Sequence, residues 1–251
     1  MTVSAGLEHA AQLVAHARRG VAFTGAGVSA ESGIRTFRGE GGLWTQYDPF
    51  KVSSIDYFLQ DPGAYWTVSK DRYETYRQAR PNPGHLALAA MEEAGVLSAV
   101  VTQNTDGLHL QAGSSNVVEL HGSGRTVACI DCGAREPRED VQSRLEREMP
   151  PRCRMCGGVH IKPTVVFFGE QMPAVAVDRA FAAARDCDLM LVVGSSLVVY
   201  PAAGVPAAAL EAGAPLVIVN AEPTPLDEMA EAVIRGRSGE VLPRLLELSG
   251  R

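Results

Sequence analysis

Short apolar runs alternate with longer amphipathic segments along most of the chain. The apolar runs are rich in Val, Ile and Leu and have the length of buried β-strands. They comprise residues 21–24, 98–103, 116–120, 164–168, 189–193 and 215–219. Helical spacing of apolar residues occurs around 7–17, 64–79, 84–94, 174–186 and 203–213. Such alternation predicts an α/β fold whose parallel sheet is covered by helices on both faces.

One helix end and two long interruptions complete the pattern. Gly20 follows the first helical segment and is a candidate C-cap for it. Residues 34–82 are rich in Gly, Pro, aromatic and charged residues around the possible helix at 64–79. Residues 123–160 contain four of the five cysteines and a polar, charge-rich middle. We expect both segments to be insertions into the α/β frame that form a smaller domain, packed together or separately.

The composition is typical of a globular protein with one large domain, or one large and one small domain. The 251 residues are 46% apolar and 21% charged, and the formal net charge is -6. The sequence has no block of consecutive basic residues, and therefore no electrostatic footprint for nucleic acid or an anionic membrane. The uncharged run at 189–210 has the length of a membrane span, but its glycines and prolines break a continuous helix. The start of the sequence lacks the layout of a signal peptide, so we expect a soluble, cytoplasmic protein.

Four cysteines form two Cys-x-x-Cys pairs that residues 133–152 separate. Cys129 and Cys132 form the first pair, and Cys153 and Cys156 form the second. Each pair can present two thiolates from one turn, and four thiolates complete a tetrahedral Zn²⁺ shell. Because such a shell leaves no open coordination position, we expect one structural zinc ion. The alternative is a set of unrelated buried or redox cysteines, and the lone Cys187 is interpreted as a small core residue.

Three polar turns follow apolar strands and are candidates for nucleotide binding. They are Gly25-x-Gly27-x-x-Ala30, Gly194-Ser195-Ser196 and Asn220-Ala221-Glu222. The first turn meets the dinucleotide-binding fingerprint, but the second strand with an acidic end that normally follows it is missing, so it could also be any tight strand–helix junction. Ligands of open α/β sheets bind beyond the carboxyl ends of the strands, where three polar turns suit phosphates and ribose hydroxyls. Glu222 is the candidate for the missing ribose contact.

Two other strand ends carry candidate catalytic groups. Gln103, Asn104 and Asp106 follow the strand at 98–103, where amide and carboxylate groups can hold a carboxamide and a ribose. The alternative for Asn104 or Asp106 is an Asx turn and helix cap. His121 follows the strand at 116–120. Among the six histidines it is the best-placed candidate base, because imidazole titrates near neutrality.

Together these motifs resemble one family, the sirtuins, which are NAD-dependent protein deacylases. The matching segments occur in the family's order and extend over nearly the whole chain. They are GAGVSAESGIRTFRG, GGLW, TQNTDGLH, ELHG, the two Cys-x-x-Cys pairs, KPTVVFFGE, GSSLVVYPA and VNAEP. The ordered set is far more specific than any single motif.

The resemblance implies a Rossmann-like NAD-binding domain formed by residues 1–34, 82–122 and 161–251. The smaller domain would combine a loop and helical module at 35–81 with a zinc-binding module at 123–160. NAD and an acetylated lysine of a protein or peptide substrate would enter the cleft between the two domains. The sequence does not determine an oligomeric state.

The resemblance also implies roles for individual residues. His121 would be the general base, with Asn104 as a second catalytic residue. NAD would be bound or covered by Gly25, Ala26, Gly27, Ala30, Phe37, Arg38, Trp44, Gln103, Asn104, Asp106, Gly194, Ser195, Ser196, Asn220, Glu222 and Ser238. The substrate peptide would add as a strand between Val166, Phe167, Phe168 and Gly169 on one side and Leu197, Val198 and Val199 on the other.

By the same resemblance, NAD would be consumed rather than recycled. Nicotinamide would leave, the acyl oxygen of the lysine amide would attack the exposed ribose carbon, and the products would be lysine, nicotinamide and O-acetyl-ADP-ribose. Open alternatives are transfer of one ADP-ribose to a protein, and a non-catalytic NAD or ADP-ribose sensor.

The acyl preference depends on a departure from the family pattern. Members that prefer succinyl or malonyl chains carry a Tyr and, three residues later, an Arg. Alignment on Trp66 places Ser69 and Arg72 at these positions. Because the Tyr is missing, we expect uncharged acyl groups such as acetyl, although a shift of one residue in the alignment would remove this argument.

Overall fold

The computed structural model describes residues 3–37 and 42–251 of the chain. Its β-strands are β1 (Gly20–Thr24), β2 (Leu97–Thr102), β3 (Val117–Glu119), β4 (Gly122–Cys129), β5 (Arg135–Pro137), β6 (Ile161–Val165), β7 (Leu189–Val193), β8 (Leu216–Val219) and β9 (Ala232–Ile234). Its α-helices are α1 (Val3–His16), α2 (Pro49–Val52), α3 (Ile55–Gln60), α4 (Pro62–Gln78), α5 (Pro83–Glu93), α6 (Leu108–Gln111), α7 (Arg138–Gln142), α8 (Ala174–Asp186), α9 (Gly204–Glu211) and α10 (Ser238–Ser249). Short 3-10 helices cover Ala26–Ser32, Leu43–Thr45 and Asp227–Met229.

Six of these strands form the predicted parallel sheet, in the order β3-β2-β1-β7-β8-β9. The register places Ala22 of β1 beside Val100 of β2 and Leu191 of β7. The strand order therefore reverses at β1, whose neighbours come from later parts of the chain on either side. A crevice at the carboxyl ends of the strands is expected at such a point. Strand β9 was not predicted, because three residues are too few for a periodic signal.

Helices cover both faces of this sheet, which explains why its strands are apolar throughout. On one face Leu191 belongs to a core with Leu88 of α5 and Leu245 of α10. On the other face Met190 and its neighbours pack with α8 and α9 in a second core. Because successive side chains of a strand point to opposite faces, a sheet with two covered faces has no polar face to show. None of the helices in the described residues combines the length and apolar composition needed to cross a membrane.

A smaller sheet, in the order β5-β4-β6, is antiparallel and has a separate core. This core is built on Phe58, Trp66 and Phe167 and includes two of the paired cysteines. The indole Nε1 of Trp66 donates to the carbonyl of Ile161 at 2.9 Å, which fixes α4 to β6. Helix α4 begins where Asp61 accepts a hydrogen bond from the amide of Ala64 and Pro62 supplies the first helical position.

Two details of the sequence prediction were wrong. The strand predicted at 164–168 is β6, which begins and ends earlier and pairs antiparallel with β4 rather than entering the parallel sheet. The start of β6 was not predicted because it contains Lys162 and Pro163, and neither residue type is typical of a buried strand. Gly20 does not cap the first helix; it opens β1, where a Cβ atom would lie 2.8 Å from the carbonyl oxygen of Val96. Close backbone approach, not helix termination, requires glycine there.

Candidate active site

A cleft of about 1260 Å³ opens at the carboxyl edge of the parallel sheet and extends to the smaller sheet and α4. The segments that follow β1, β2, β3, β7 and β8 all contribute to its lining. The predicted site residues that line it are Gly25, Ala26, Gly27, Ala30, Phe37, Trp44, Gln103, Asn104, Asp106, His121, Val166, Phe167, Phe168, Gly169, Gly194, Ser195, Ser196, Val199, Asn220, Glu222 and Ser238. Leu197 and Val198 are not part of this lining, and Arg38 lies outside the described residues.

The glycine turn after β1 packs directly against the turn after β7. The amide of Gly25 donates to the carbonyl of Val193 at 3.0 Å, and the amide of Gly27 donates to that of Gly194 at 2.9 Å. A Cβ atom on Gly27 would lie 2.7 Å from the Cα of Gly194, so this contact requires glycine. The chain then enters the 3-10 helix Ala26–Ser32. The two turns form one continuous backbone surface in the cleft.

A buried serine joins the polar residues that follow β2 to this turn. The side-chain amide of Asn104 donates to the hydroxyl of Ser29 and to the carbonyl of Gly25, at 3.1 Å each. Ser29 donates to the carboxylate of Asp106 at 2.8 Å, and the other oxygen of that carboxylate accepts from the amide of Leu108 at 2.9 Å. Asp106 therefore makes the predicted Asx turn just before α6, whose N-cap is Gly107, and also contributes to the cleft. Ser29 was not predicted as a site residue, although it lies inside the GAGVSAESG motif.

Two buried histidines support this network from behind. The backbone amide of Asn82 donates to Nδ1 of His85, so the proton of the neutral ring is on Nε2, which lies 3.3 Å from the Ser29 hydroxyl. The ring of His109 lies beside that of His85, tilted by 57° with ring centroids 4.9 Å apart, and its Nε2 lies 2.9 Å from the hydroxyl of Thr24. Burial lowers the pKa of His85, and burial together with the neighbouring His85 lowers the pKa of His109 to about 3. Both rings are therefore neutral supports and not proton acceptors at neutral pH.

His121 is held in one tautomer by the backbone. Its Nδ1 lies 3.0 Å from the carbonyl oxygen of Gln103, which can only accept, so Nδ1 carries the proton. Nε2 is then the nitrogen with the free lone pair. Burial lowers the pKa of His121, and the hydrogen bond to Gln103 opposes this shift in part. A half-buried, oriented and neutral imidazole that lines a cleft has the properties of a general base.

The turns after β7 and β8 present further polar groups. The amide of Gln103 donates to the hydroxyl of Ser195 at 2.8 Å, which connects the ends of β2 and β7. Asn220 donates to the carbonyl of Glu222 at 2.7 Å and shapes the turn after β8. Ser238, at the start of α10, lies 3.3 Å from the carboxylate of Glu31. The predicted nucleotide residues are thus together at one edge, although they are far apart in sequence.

The segment Val166–Gly169 and an aromatic group form the outer rim of the cleft. The ring of Trp44 stacks on Phe37 at 5.2 Å and lies 6.4 Å from the ring of Phe168. Phe168 is already paired on one side, because its amide donates to Ser53 and its carbonyl accepts from Ile55. On the opposite rim Leu197 is buried and has a positive φ of 55°.

The residues on which the predicted acyl preference depends lie at the α4 end of the cleft. Ser69 and Arg72 both line it, as do Tyr65 and Tyr76. Arg72 donates to the hydroxyl of Tyr76 at 3.2 Å, so its tyrosine neighbour comes from the following helical turn. Ser69 lies 3.4 Å from the hydroxyl of Tyr65 and accepts from Arg138 at 3.2 Å.

The four paired cysteines converge on one point outside the cleft lining. The sulfur atoms of Cys129, Cys132, Cys153 and Cys156 all lie within 4.8 Å of one another, and no disulfide joins them. The sulfurs of Cys129 and Cys156 are 3.6 Å apart, as are those of Cys132 and Cys153. Such a cluster can bind a metal ion. Cys187 is buried in the large core, as predicted.

Fold and site together define a class of protein. The parallel sheet has a polar cleft at its carboxyl edge, with a glycine turn after the first strand and an oriented histidine. Together with the four-cysteine cluster, these features are characteristic of an α/β protein with a nucleotide cleft and a metal-binding module.

Comparison with known proteins identifies the family within this class. The Sir2 family matches residues 25–201. The NAD-dependent protein deacylase 2 of Archaeoglobus fulgidus is 47% identical over 241 residues, which cover 96% of this chain and 95% of that protein. The NAD-dependent protein deacetylase of Caldivirga maquilingensis is 46% identical over 242 residues, which cover 96% and 93%. A solved Sir2 structure with a deacetylated p53 peptide and 3'-O-acetyl ADP ribose has a TM-score of 0.91, 39% identity and 98% coverage of both chains. The chain belongs to the Sir2 family, as its motifs predicted.

Proposed function

We propose that this protein is an NAD-dependent protein-lysine deacetylase that releases nicotinamide and O-acetyl-ADP-ribose. One observation carries the proposal: His121, fixed with its proton on Nδ1, faces the same cleft as Asn104 and the glycine turn. A base and a dinucleotide turn in one cleft suit a reaction in which NAD is a reactant. The activities of the relatives agree with it.

In this proposal the strand ends divide the work of binding NAD. The turns after β1 and β7 hold the phosphates, because they pack together at Gly25, Gly27 and Gly194 without side chains and let a pyrophosphate approach the backbone closely. Gln103, Asn104 and Asp106 hold the nicotinamide and its ribose. The residues of the adenosine half are Ser195, Ser196, Asn220, Glu222 and Ser238, with Phe37 and Trp44 as a cover over the reacting end.

The chemistry requires a proton acceptor beside the ribose. After nicotinamide leaves, the acyl oxygen of the lysine amide bonds to the ribose carbon. His121 then takes a proton from a ribose hydroxyl through its free Nε2, so that the hydroxyl oxygen can attack the acyl carbon. The carbon–nitrogen bond of the amide then breaks, the lysine amine leaves with the proton that His121 returns, and one water molecule adds to the acyl carbon to complete O-acetyl-ADP-ribose. Because the acyl group moves to ADP-ribose, the enzyme is a transferase. Asn104, held by Ser29 and Gly25, orients the reacting ribose.

We also propose that the four-cysteine cluster holds one structural zinc ion. A tetrahedral site with Zn–S distances of about 2.3 Å has its sulfurs about 3.8 Å apart, close to the 3.6 Å between paired sulfurs here. The ion would join the two Cys-x-x-Cys turns of a smaller domain at 123–160, beside the helical module at 35–81. The division into domains and the cytoplasmic location stay predictions of the sequence.

The preferred acyl group in this proposal is uncharged. The guanidinium of Arg72 donates a hydrogen bond to the hydroxyl of Tyr76. Position 69 is a serine, whereas carboxylate-selective family members carry a tyrosine there. An acyl chain with a terminal carboxylate would lack the phenol of the family pattern at position 69 and would lose hydration without full compensation.

Product analysis tests the proposed function directly. The purified protein is incubated with NAD and an acetylated peptide, and each is omitted in turn. Nicotinamide release that needs both, together with loss of one acetyl group from the peptide, supports deacetylation. A peptide or protein that gains one ADP-ribose would establish the transferase alternative. NAD binding without nicotinamide release would establish a sensor.

A further inference from the structure

Lys162 of β6 is a buried ammonium with a complete set of acceptors. Only 6% of the residue is exposed. Its Nζ donates to the carbonyl of Val165 at 2.7 Å and to that of Pro163 at 3.2 Å, and it lies 3.0 Å from the carboxylate of Glu170. An ammonium has three protons, so each has a partner. The ring of Phe167 lies 4.3 Å from Nζ and covers it.

Glu170 completes a clip around the bend between the two residues. The same carboxylate oxygen that meets Lys162 accepts the backbone amide of Phe167 at 2.7 Å. The amide of Glu170 in turn donates to the carbonyl of Phe167 at 3.0 Å. Both backbone polar groups of Phe167 are therefore used inside the clip. Glu170 also lines the cleft.

This arrangement decides which backbone groups of the rim stay open. Val166 and Phe168 direct their amides to the same edge, where they donate to His121 and to Ser53. Successive residues of an extended segment face opposite edges, so the amide of Phe167 faces the other edge. Gly169 follows in a turn with a φ of 90° and lines the cleft. The contacts of Glu170 occupy Phe167 and leave Gly169, which is exposed.

We propose that the Lys162–Glu170 clip positions the backbone of Gly169 for the acylated peptide. Glu170 keeps Phe167 out of strand pairing, and Lys162 orients Glu170. The substrate strand then has one register on this rim, since a slip that moves its pairing from Gly169 to Phe167 would need the amide that Glu170 already holds. Both are positioning residues that act through backbone. The inference rests on the proposed function, because it assumes an acylated peptide as the ligand.

A purely structural buried ion pair would make a different prediction. Removing one partner of such a pair leaves an uncompensated charge, whereas replacing both partners by neutral residues restores stability. If the clip only stabilises the fold, every neutral double variant that regains stability should also regain peptide binding. If the hydrogen bond from the amide of Phe167 to the side chain at position 170 matters for the peptide, peptide binding depends on whether position 170 retains an acceptor.

Two matched double variants separate these cases. Lys162→Met with Glu170→Gln keeps a side-chain oxygen for the amide of Phe167, and Lys162→Met with Glu170→Leu removes it. The Kd of a fluorescent acetyl-lysine peptide is measured by anisotropy with NAD absent, beside the Tm. Lys70→Met is the control, because it breaks an ion pair of 2.7 Å between a half-buried lysine and the exposed Glu146.

We expect both doubles to have a similar Tm, with the Gln variant close to wild type in peptide Kd and the Leu variant about tenfold weaker. The affinity for NAD should be unchanged in both. Equal peptide binding by the two doubles, or weakening that follows Tm alone, overturns the clip, as does a wild-type protein that binds no acetylated peptide. Nicotinamide release by the wild type is measured separately: peptide binding without turnover contradicts the proposed function and leaves the clip to be decided by Kd.

Discussion

Strand β7 of the parallel sheet is buried along its whole length, whereas β5 of the antiparallel sheet exposes two of its three residues. The large sheet has two apolar cores, one on each face. The small sheet has one, and two of its members are cysteines of the metal cluster. Burial of apolar surface grows with the size of a domain, so a small sheet needs another source of stability. The metal ion that we propose for the four cysteines would be that source.

The buried polar groups of the two regions also differ, and the difference is in their charge. Behind the large sheet's edge, neutral groups such as His85, Ser29 and Thr24 form hydrogen bonds in a buried network. In the small region a buried cation, Arg138, lies over the rings of Trp66 and Tyr73. The parallel sheet holds the groups that need fixed geometry, and the small region lines the other side of the cleft.

Metal removal should have the largest effect, and only on the small region. Structural zinc contributes on the order of 10 kcal/mol of binding free energy in small domains that depend on it. In Cys129→Ser, or after chelation, the core around Trp66 should lose its packing while the parallel sheet keeps its own. Tryptophan fluorescence and amide hydrogen exchange measure the two regions separately, and metal analysis counts the ion.

The matched control for this prediction is Cys187→Ser, which changes a cysteine in the large core. That variant should keep its metal. Uniform loss of protection across both sheets after chelation would show that the regions are not independent.

His121→Ala should have the next largest effect, confined to chemistry. General base catalysis contributes about 10²- to 10⁴-fold, so deacetylation should fall by that factor while the Kd for NAD changes little. The fold should be unaffected, since His121 is only half-buried and its contact to Gln103 is a single hydrogen bond. Steady-state rates and NAD titration check this. Unchanged turnover would remove His121 from the mechanism.

The acid limb of the rate profile follows from the same residue. The base must be neutral to act, and burial lowers the pKa of His121 below its ordinary value. The rate should therefore persist as pH falls through 6.5 and decline only at lower pH. A limb above pH 6.5 would contradict the assignment.

Acid should also destabilise the large region through His109. Its pKa of about 3 lies below that of the unfolded chain, so the unfolded state binds more protons between these values. Stability is thus present above pH 6.5 and is lost as pH falls towards 3. Between pH 6.5 and 4 the loss from this residue is about 3 kcal/mol at 1.36 kcal/mol per pH unit. His109→Gln, which keeps a donor for Thr24, should reduce this pH dependence of the free energy of unfolding, measured by urea titration. If stability falls with pH equally in the variant and the wild type, the effect does not come from His109.

The smallest effect concerns the acyl end of the cleft, where the small region alone determines the outcome. The acetyl peptide should be turned over at least about tenfold faster than the succinyl peptide, because burial of the extra carboxylate costs free energy. Arg72→Met should change acetyl turnover less than about threefold. Rates on matched peptides check both. Fast succinyl turnover that disappears in Arg72→Met would show that Tyr76 and Arg72 together bind a carboxylate.

Much of this molecule was predictable because its signals are local. Strands such as LMLVV, the helix at 174–186 and the paired cysteines each declare themselves within a few residues. The polar residues after β2 were found because they directly follow a strand. Lys162 was not found, because a lysine in an apolar run shows no sign that Glu170 will meet it.

By itself the sequence determined the alternation of strands and helices in the α/β frame, the family and the identity of the residues at the strand ends. Only the tertiary structure decided that β6 leaves the parallel sheet, that Ser29 joins Asn104 to Asp106, and that Gln103 sets the tautomer of His121. Apolar periodicity reports burial along one element, whereas these contacts join elements distant in sequence. Their geometry depends on how the sheets and helices pack, which no local pattern encodes.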